Sequence, residues 1–406
     1  MLASALPRTA KGHPRPIDRR IQVDCVTQPG DRNRGTILGN TLSKNWIALL
    51  GRGESPADGI QDYCEFLARA LKPQGVEMKL VSVDWARKGW FAALHELRRN
   101  SEGWEGNWIL LQFTALAWSR RGFPLGALAV LAVARRRGAR CAVVFHEPYS
   151  PSATRWIDRV RGRFQEWIIR KIYSNVSKSI FPEPLARIRW LPCAEPKARF
   201  IPIGANIPER TPILNAPFSE NGRPMTVVVF CLTSMPILRD ELRDISDAAR
   251  TALADGAKFR ILFLGRGTSE AKDEIAHRFR DIPIEVSNLG LLNADQISDI
   301  FSHADAMLCV RGSVYLRRGS AIAGIACGLP IVGYEGESKG TPLDDAGVVL
   351  VPFRDARAAG AALSRVLTDH EFRRQLQEKN VRVQEKYFSW ELIASAFVTF
   401  LRSSPL

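Results

Sequence analysis

Long hydrophobic runs are missing from this 406-residue chain: the longest, Pro124 to Ala134, is roughly half a bilayer span and stops at Arg135-Arg136-Arg137. It reads as a buried helix, and no transmembrane segment is expected. Met1 to Arg20 contains no continuous apolar core of signal-peptide length, so secretion is not expected either. No cysteine pair has the spacing of a metal site. Cys25, Cys64, Cys141, Cys193, Cys231, Cys309 and Cys327 are scattered, several within apolar runs, as buried thiols in a reducing, cytoplasmic compartment would be. Zinc-finger spacing, an RNP motif and a basic region running into heptads are all absent, so no nucleic-acid partner is expected. No strand leads into a full Gly-x-Gly-x-x-Gly with an acid some twenty positions on, which argues against a Rossmann oxidoreductase. No Asp or Glu lies between Asp305 and Glu335.

Positive charge, in contrast, is plentiful. The 57 Lys and Arg exceed the 42 Asp and Glu by 15, a balance that attracts phosphates or acidic lipids. Residues 1–42 lack hydrophobic periodicity and are rich in Pro, Arg, Gly and Asn, which suits a basic, poorly ordered tail. From residue 43 short apolar runs alternate with amphipathic segments: NWIALLG, EMKLVSVD, NWILLQF, RCAVVFHE, SKSIF and ARFIPI read as strands, most of them separated by helical patterns. After the patternless stretch 208–223 the alternation resumes with MTVVVFCL, FRILFLG, PIEVSNLG, AMLCV, PIVGY and GVVLV. Valine-, isoleucine- and leucine-rich strands with helical crossovers indicate parallel sheets covered on both faces. The chain therefore divides into a Rossmann-like domain over 43–210, a second such domain over 211–385, and a helix over 386–406 that packs back across the domains. Helical patterns cover Ala356 to Thr368, Asp369 to Tyr387 and the stretch from Ser389. Ligands of open α/β sheets sit beyond the C-terminal strand ends, which places the chemistry in a cleft between two doubly wound parallel-sheet domains.

Several residues cluster at those strand ends. After AMLCV comes RGSVYLRRGS and a helix beginning near Gly319 or Ser320. A helix start offers unpaired N–H groups and partial positive charge to a diphosphate, with Arg317 and Arg318 adding formal charge. Equally, Ala321, Ala323, Gly324 and Ala326 are small enough to serve only close packing on the sheet. In the first half, Gly59 would let backbone approach a phosphate or an acceptor. Asp58 either holds an acceptor hydroxyl as a base or caps the following helix. His146 and Glu147 end a strand facing the cleft, where His146 donates to ligand hydroxyls or is a satisfied structural histidine. Gly265 to Gly267, GRG after a strand, is too short for a dinucleotide fingerprint and is expected to help enclose a nucleotide. Trp156, Val160, Phe164, Trp167, Ile168 and Ile172 recur at helical spacing with Arg159, Arg163, Arg170 and Lys171 among them. Such a helix either rests on an anionic membrane surface or turns its stripe to the core.

The stretch IAGIACGLPIVGYEG, then DDAGVVLVPF and EKYFSWELIASAFVTFL, resembles the C-terminal domain of GT4-type retaining glycosyltransferases of the GT-B fold. GRGESPADGIQDYCEFLARAL resembles their N-terminal glycine-containing acceptor loop and first helix, VVFHEPYS their His-bearing strand end, and FIPIGANIP their interdomain segment. The similarity runs from about residue 43 to 402, and its ordered set of motifs carries it. It implies transfer of a sugar, with retention and without a metal or other cofactor, from a nucleoside diphosphate sugar to a glycan or lipid-linked hydroxyl. It also implies donor contacts at Arg317, Arg318, Gly319, Ser320 and Gly265, acceptor contacts at Gly59 and Glu147, and catalytic roles for His146 and Asp58. One departure is marked: the family's two glutamates, eight positions apart, fall here on Tyr315 and Ala323. Tyr315 is then the residue left to meet the sugar. Arg239 is the nearest candidate for the basic residue that follows the first strand of that domain. A catalytically inactive GT-B protein that binds glycan or a partner glycosyltransferase is the alternative this departure raises.

Overall fold

The computed structural model describes residues 45–51, 59–149, 156–192, 195–210, 224–336 and 341–403. The tail expected over 1–42, Asp58, Cys25 and Cys193 lie outside those residues. All twelve expected strands are present. The first six are β1 (Asn45–Leu50), β2 (Glu77–Ser82), β3 (Trp108–Phe113), β4 (Arg140–Phe145), β5 (Lys178–Phe181) and β6 (Ala198–Phe200). The second six are β7 (Met225–Phe230), β8 (Phe259–Leu264), β9 (Val286–Gly290), β10 (Ala306–Ser313), β11 (Ile331–Tyr334) and β12 (Val348–Val351). They form two six-stranded sheets in the orders β2-β1-β3-β4-β5-β6 and β12-β11-β10-β7-β8-β9, and every pairing is parallel. The strand order reverses at β1/β3 in one sheet and at β7/β10 in the other, and a crevice opens at the C-terminal ends of such strand pairs.

The strands are continuous apolar runs because both faces of each sheet are covered. On the first sheet, Ile47, Leu49, Ile109, Leu111, Val143 and Phe145 pack beneath α3 (Trp90–Asn100), α4 (Leu125–Arg136) and α5 (Trp156–Ser174). The alternate residues, Trp46, Ala48, Leu110, Ala142 and Val144, meet α1 (Gly59–Leu71) and α12 (Trp390–Arg402) on the opposite face. A single turn, α2 (Trp85–Lys88), precedes α3. The second sheet lies between α6 (Ile237–Ala254), α7 (Lys272–Phe279) and α10 (Ala356–Thr368) on one side and α8 (Ala294–His303) and α9 (Gly319–Ala326) on the other. The pattern expected over Asp369 to Tyr387 is α11 (His370–Val383), which passes into one π-type turn, Gln384–Phe388. Each fully buried Leu, Ile or Phe contributes about 1.5 to 3 kcal/mol.

Helix α12 returns to the first sheet. The indole N–H of Trp390 donates to Ala205 O at 2.7 Å. Its ring stacks on Phe66 at 5.8 Å and meets Tyr63 at 5.3 Å. Gly204 is a requirement of this contact, since a Cβ there would lie 2.5 Å from the indole. Farther along, Lys178 Nζ donates to Ser403 Oγ at 2.9 Å and sits over the Phe400 ring.

Candidate active site

The chemistry-bearing residues gather where β10 ends. That strand breaks register after Cys309, and Gly312 takes φ +68°, a left-handed conformation that suits glycine. The chain then runs through Tyr315, Arg317 and Arg318 into α9. Arg318 occupies the N-cap position without a side-chain cap bond. Its guanidinium instead turns back into its own lobe, where Nη2 donates to the carbonyls of Arg311 and Ser313. Arg317 points the other way, across to the first sheet: its Nε lies 3.3 Å from Glu183 Oε2 and its Nη1 donates to His146 O at 3.2 Å. Tyr315 lies between the two guanidiniums, 5.2 Å from each, and Tyr149 flanks Arg317 from the other lobe at 5.4 Å. Gly319 opens α9, with no atom within 4 Å of where its Cβ would stand, and its N–H and that of Ser320 find no acceptor among the described residues. The expected helix start is thus real, open and flanked by arginines.

Behind it, at the C-terminal ends of β7 and β10, lies a small pocket lined by Phe230, Cys231, Glu241, Cys309 and Arg311. Glu241 of α6 is buried and accepts from Thr233 N at 3.0 Å and Thr233 Oγ1 at 2.5 Å. Burial raises its pKa, while the Thr233 bonds and the charges of Arg311 and Arg318 oppose the rise.

His146 ends β4, its N–H bonded to Phe113 O. Gln112 donates its amide to Leu110 O at 3.5 Å, so its Oε1 is the acceptor for His146 Nε2 at 2.8 Å. Burial and the neighbouring Arg317 push the imidazole down to about 4. A neutral ring protonated on Nε2 leaves Nδ1 as an acceptor. On this side the ring offers an acceptor, while its one N–H is already committed to Gln112. Tyr63 fixes the ring edge-on at 5.1 Å, and Glu147 is exposed just beyond.

The other expected residues are placed less centrally. Gly59 begins α1, and its carbonyl accepts from Asn206 Nδ2 at 2.8 Å. Gly265 has φ +91°, and a Cβ there would approach Cys231 Sγ and the Phe230 ring to 2.8 Å. Gly267, with φ +81°, lies equally tight against Leu232 O. The GRG glycines thus have a packing reason independent of any nucleotide. Arg239 is exposed in the first turn of α6 and directed to Glu274 of α7 at 3.6 Å. Among the described residues no three His, Cys, Asp or Glu side chains cluster as metal ligands would. Three members of the site escaped the sequence reading: Arg311, Glu241 and Glu183. Arg311 was the accessible one, standing six positions before Arg317 on the same strand end.

Two facing parallel-sheet domains with ligand crevices at their strand ends define the GT-B fold, and solved structures agree. The chain superposes on a glycosyltransferase from Rickettsia africae with a TM-score of 0.62 at 10% identity, covering 89% of this chain and 99% of that one. For Anabaena Alr3699/HepE, crystallised with UDP and glucose, the values are 0.60 and 12%, over 89% and 100%. Staphylococcus aureus TarM, seen with UDP and alpha-GlcNAc-glycerol, gives 0.55 and 12% over 77% of this chain, which spans only 59% of TarM's length. No family model matches the chain, and no curated protein does.

Proposed function

We propose that this chain is a glycosyltransferase that moves a sugar from a nucleoside diphosphate sugar to a hydroxyl of a glycan or lipid-linked acceptor, with retention and without a metal. The observation that carries the reading is the open N-terminus of α9, led into by Arg317 and Arg318, with Arg317 reaching His146 O across the lobes. Fixed N–H groups and guanidiniums stabilise a departing diphosphate with no reorganisation at the moment of reaction. Gly319, Ser320, Arg317 and Arg318 hold the diphosphate, Gly265 closes on the nucleotide side, and Arg239 is the outlying cation. Tyr315 and the acceptor nitrogen of His146 meet the sugar. Gly59, Glu147 and Asp58 belong to the acceptor side, with Asp58 as the candidate base. The setting is cytoplasmic, at the inner face of a membrane where a lipid-linked acceptor is presented.

The nucleotide complexes of HepE and TarM support this reading by analogy of fold. Calorimetric titration with UDP, GDP, ADP and their sugar conjugates tests it, with Arg317→Ala/Arg318→Ala as control. Base-selective binding that the double variant loses is the expected result. A folded protein that binds none of them points instead to the inactive glycan- or partner-binding protein, or to a donor outside that panel.

A further inference from the structure

Helix α5 does not use its apolar stripe as a core helix does. Ile168, Ile169 and Ile172 face the sheet, whereas Trp156 is 70% exposed and Ile157, Val160 and Trp167 are exposed beside it. The outward residues continue onto neighbouring elements. Phe164 links Trp167 at 5.6 Å to Phe123 at 5.2 Å, and the Phe123 carbonyl accepts from Leu125 N. Both Phe123 and Leu125 are exposed. Beyond them the Trp90 ring lies against Gly126, which brings in Phe91, 96% exposed, while Leu116 is exposed in the loop after β3. Monomeric soluble proteins seldom leave so many large apolar side chains together in water.

The charge around them has one sign. Asp158 pairs with Arg161 and Glu166 with Arg170, so the acids of α5 are already neutralised. Arg159, Arg163 and Lys171 on the same helix, and Arg120 and Arg121 on the adjoining loop, are exposed cations. We propose that this face, the outer side of α5 with the N-terminal ends of α3 and α4, seats the protein on an anionic lipid bilayer. Indole and aliphatic side chains enter the headgroup boundary while the arginines meet lipid phosphates. A second copy fits less well, because a two-fold contact would set Arg159 and Arg163 against their own counterparts. Nucleic acid fits less well: bases could stack on Trp156 and Trp167, but Ile157, Val160, Leu116 and Leu125 are aliphatic side chains that only an apolar phase rewards. No helix among the described residues is long and apolar enough to cross the membrane, so the contact is peripheral.

Topology gives the surface a use. In a parallel sheet the helix that follows a strand begins at that strand's C-terminal edge, so α3, α4 and α5 start on the edge where β4 presents His146. The bilayer face and the cleft mouth share one rim, and a lipid-borne hydroxyl reaches the cleft without leaving the membrane surface. That use rests on the lipid-linked acceptor reading; binding to vesicles does not.

The full chain, without nucleotide, is floated with vesicles of phosphatidylcholine alone or mixed with phosphatidylglycerol. Binding of the mixed vesicles at least about tenfold tighter than the neutral ones is expected. Trp156→Ser/Val160→Ser/Trp167→Ser is expected to weaken it about tenfold or more, and Arg159→Glu/Arg163→Glu to abolish the anionic preference. All three substituted apolar residues are exposed, and circular dichroism confirms that the variants fold. Absent binding, or binding that both folded variants retain, overturns the proposal. So does a dimer that the apolar variant dissolves, or displacement from vesicles by single-stranded nucleic acid. Failure of the donor titration leaves this result untouched, which keeps the two readings separable.

Discussion

Arg317 and Glu183 stand 134 positions apart in sequence and bridge the two lobes with an Nε to Oε2 distance of 3.3 Å. The carboxylate is buried, and Arg187 is its second cation at 3.4 Å. Two charges removed from water this far depend on each other, and losing either partner costs about 3 kcal/mol. If Arg317 serves a diphosphate, Glu183 is the anion the diphosphate has to displace. Glu183→Gln keeps an acceptor for Arg317 but removes the competing charge. Calorimetry is expected to show UDP binding tightened about tenfold, or about 1.4 kcal/mol. Weakened binding would make Glu183 an orienting group instead.

His146 sets the behaviour of the site below neutrality. Its folded pKa of about 4 lies below the ordinary 6.5, so the unfolded chain binds the extra proton first. The linked stability is fully present above the unfolded value and is lost as pH falls through the window from 6.5 to about 4. Imidazole resonances followed by NMR should show a neutral ring down to about pH 4. His146→Gln should flatten that part of the stability profile.

Gly265 is held by its neighbours. Alanine there meets both a positive φ and the Cys231 and Phe230 side chains. Gly265→Ala is expected to cost about 2 kcal/mol, read as a lowered urea midpoint with an unchanged slope. Gly319→Ala, with open space around it and an ordinary helical backbone, is expected to leave the midpoint within about 0.5 kcal/mol. The contrast separates a glycine the fold needs from one that only a ligand would notice.

The Trp390 side chain joins α12 to the first lobe through one hydrogen bond and two aromatic contacts. Trp390→Ala strands the Ala205 carbonyl and empties a buried volume, at about 3 to 5 kcal/mol. Thermal unfolding and proteolysis near Gly204 check it. Trp390→Phe, which keeps the stacking, should recover most of the loss.

Much of this architecture was legible in the chain itself. Twelve strands declared themselves as short apolar runs because each is buried on both faces, which leaves little room for polar alternation. The open helix start at Gly319 was legible for a similar reason: small residues after a strand end are a local signal. What failed was everything that needs a partner distant in sequence. Glu183 gave no hint of meeting Arg317, and nothing in DELRDIS marked Glu241 as the buried member. Arg239 was chosen for its nearness to the end of β7, but helical geometry turns it toward α7. The α5 stripe stays open between core and surface in the sequence for another reason. Period alone does not tell which part of a stripe the sheet covers, and here the sheet takes Ile168 and Ile172 but leaves Trp156, Val160 and Trp167 outside.

The return of α12 to α1 also sets a timetable. The ribosome delivers Trp390 about 320 residues after it has finished α1, a delay of about 15 to 60 s at common elongation rates. Through that interval Tyr63, Phe66 and Leu67 lack the helix that later covers them, even after β6 has completed the sheet beneath. The first lobe therefore keeps an apolar face of α1 uncovered until the second has been made, and its final packing waits on a segment from the far side of the other domain.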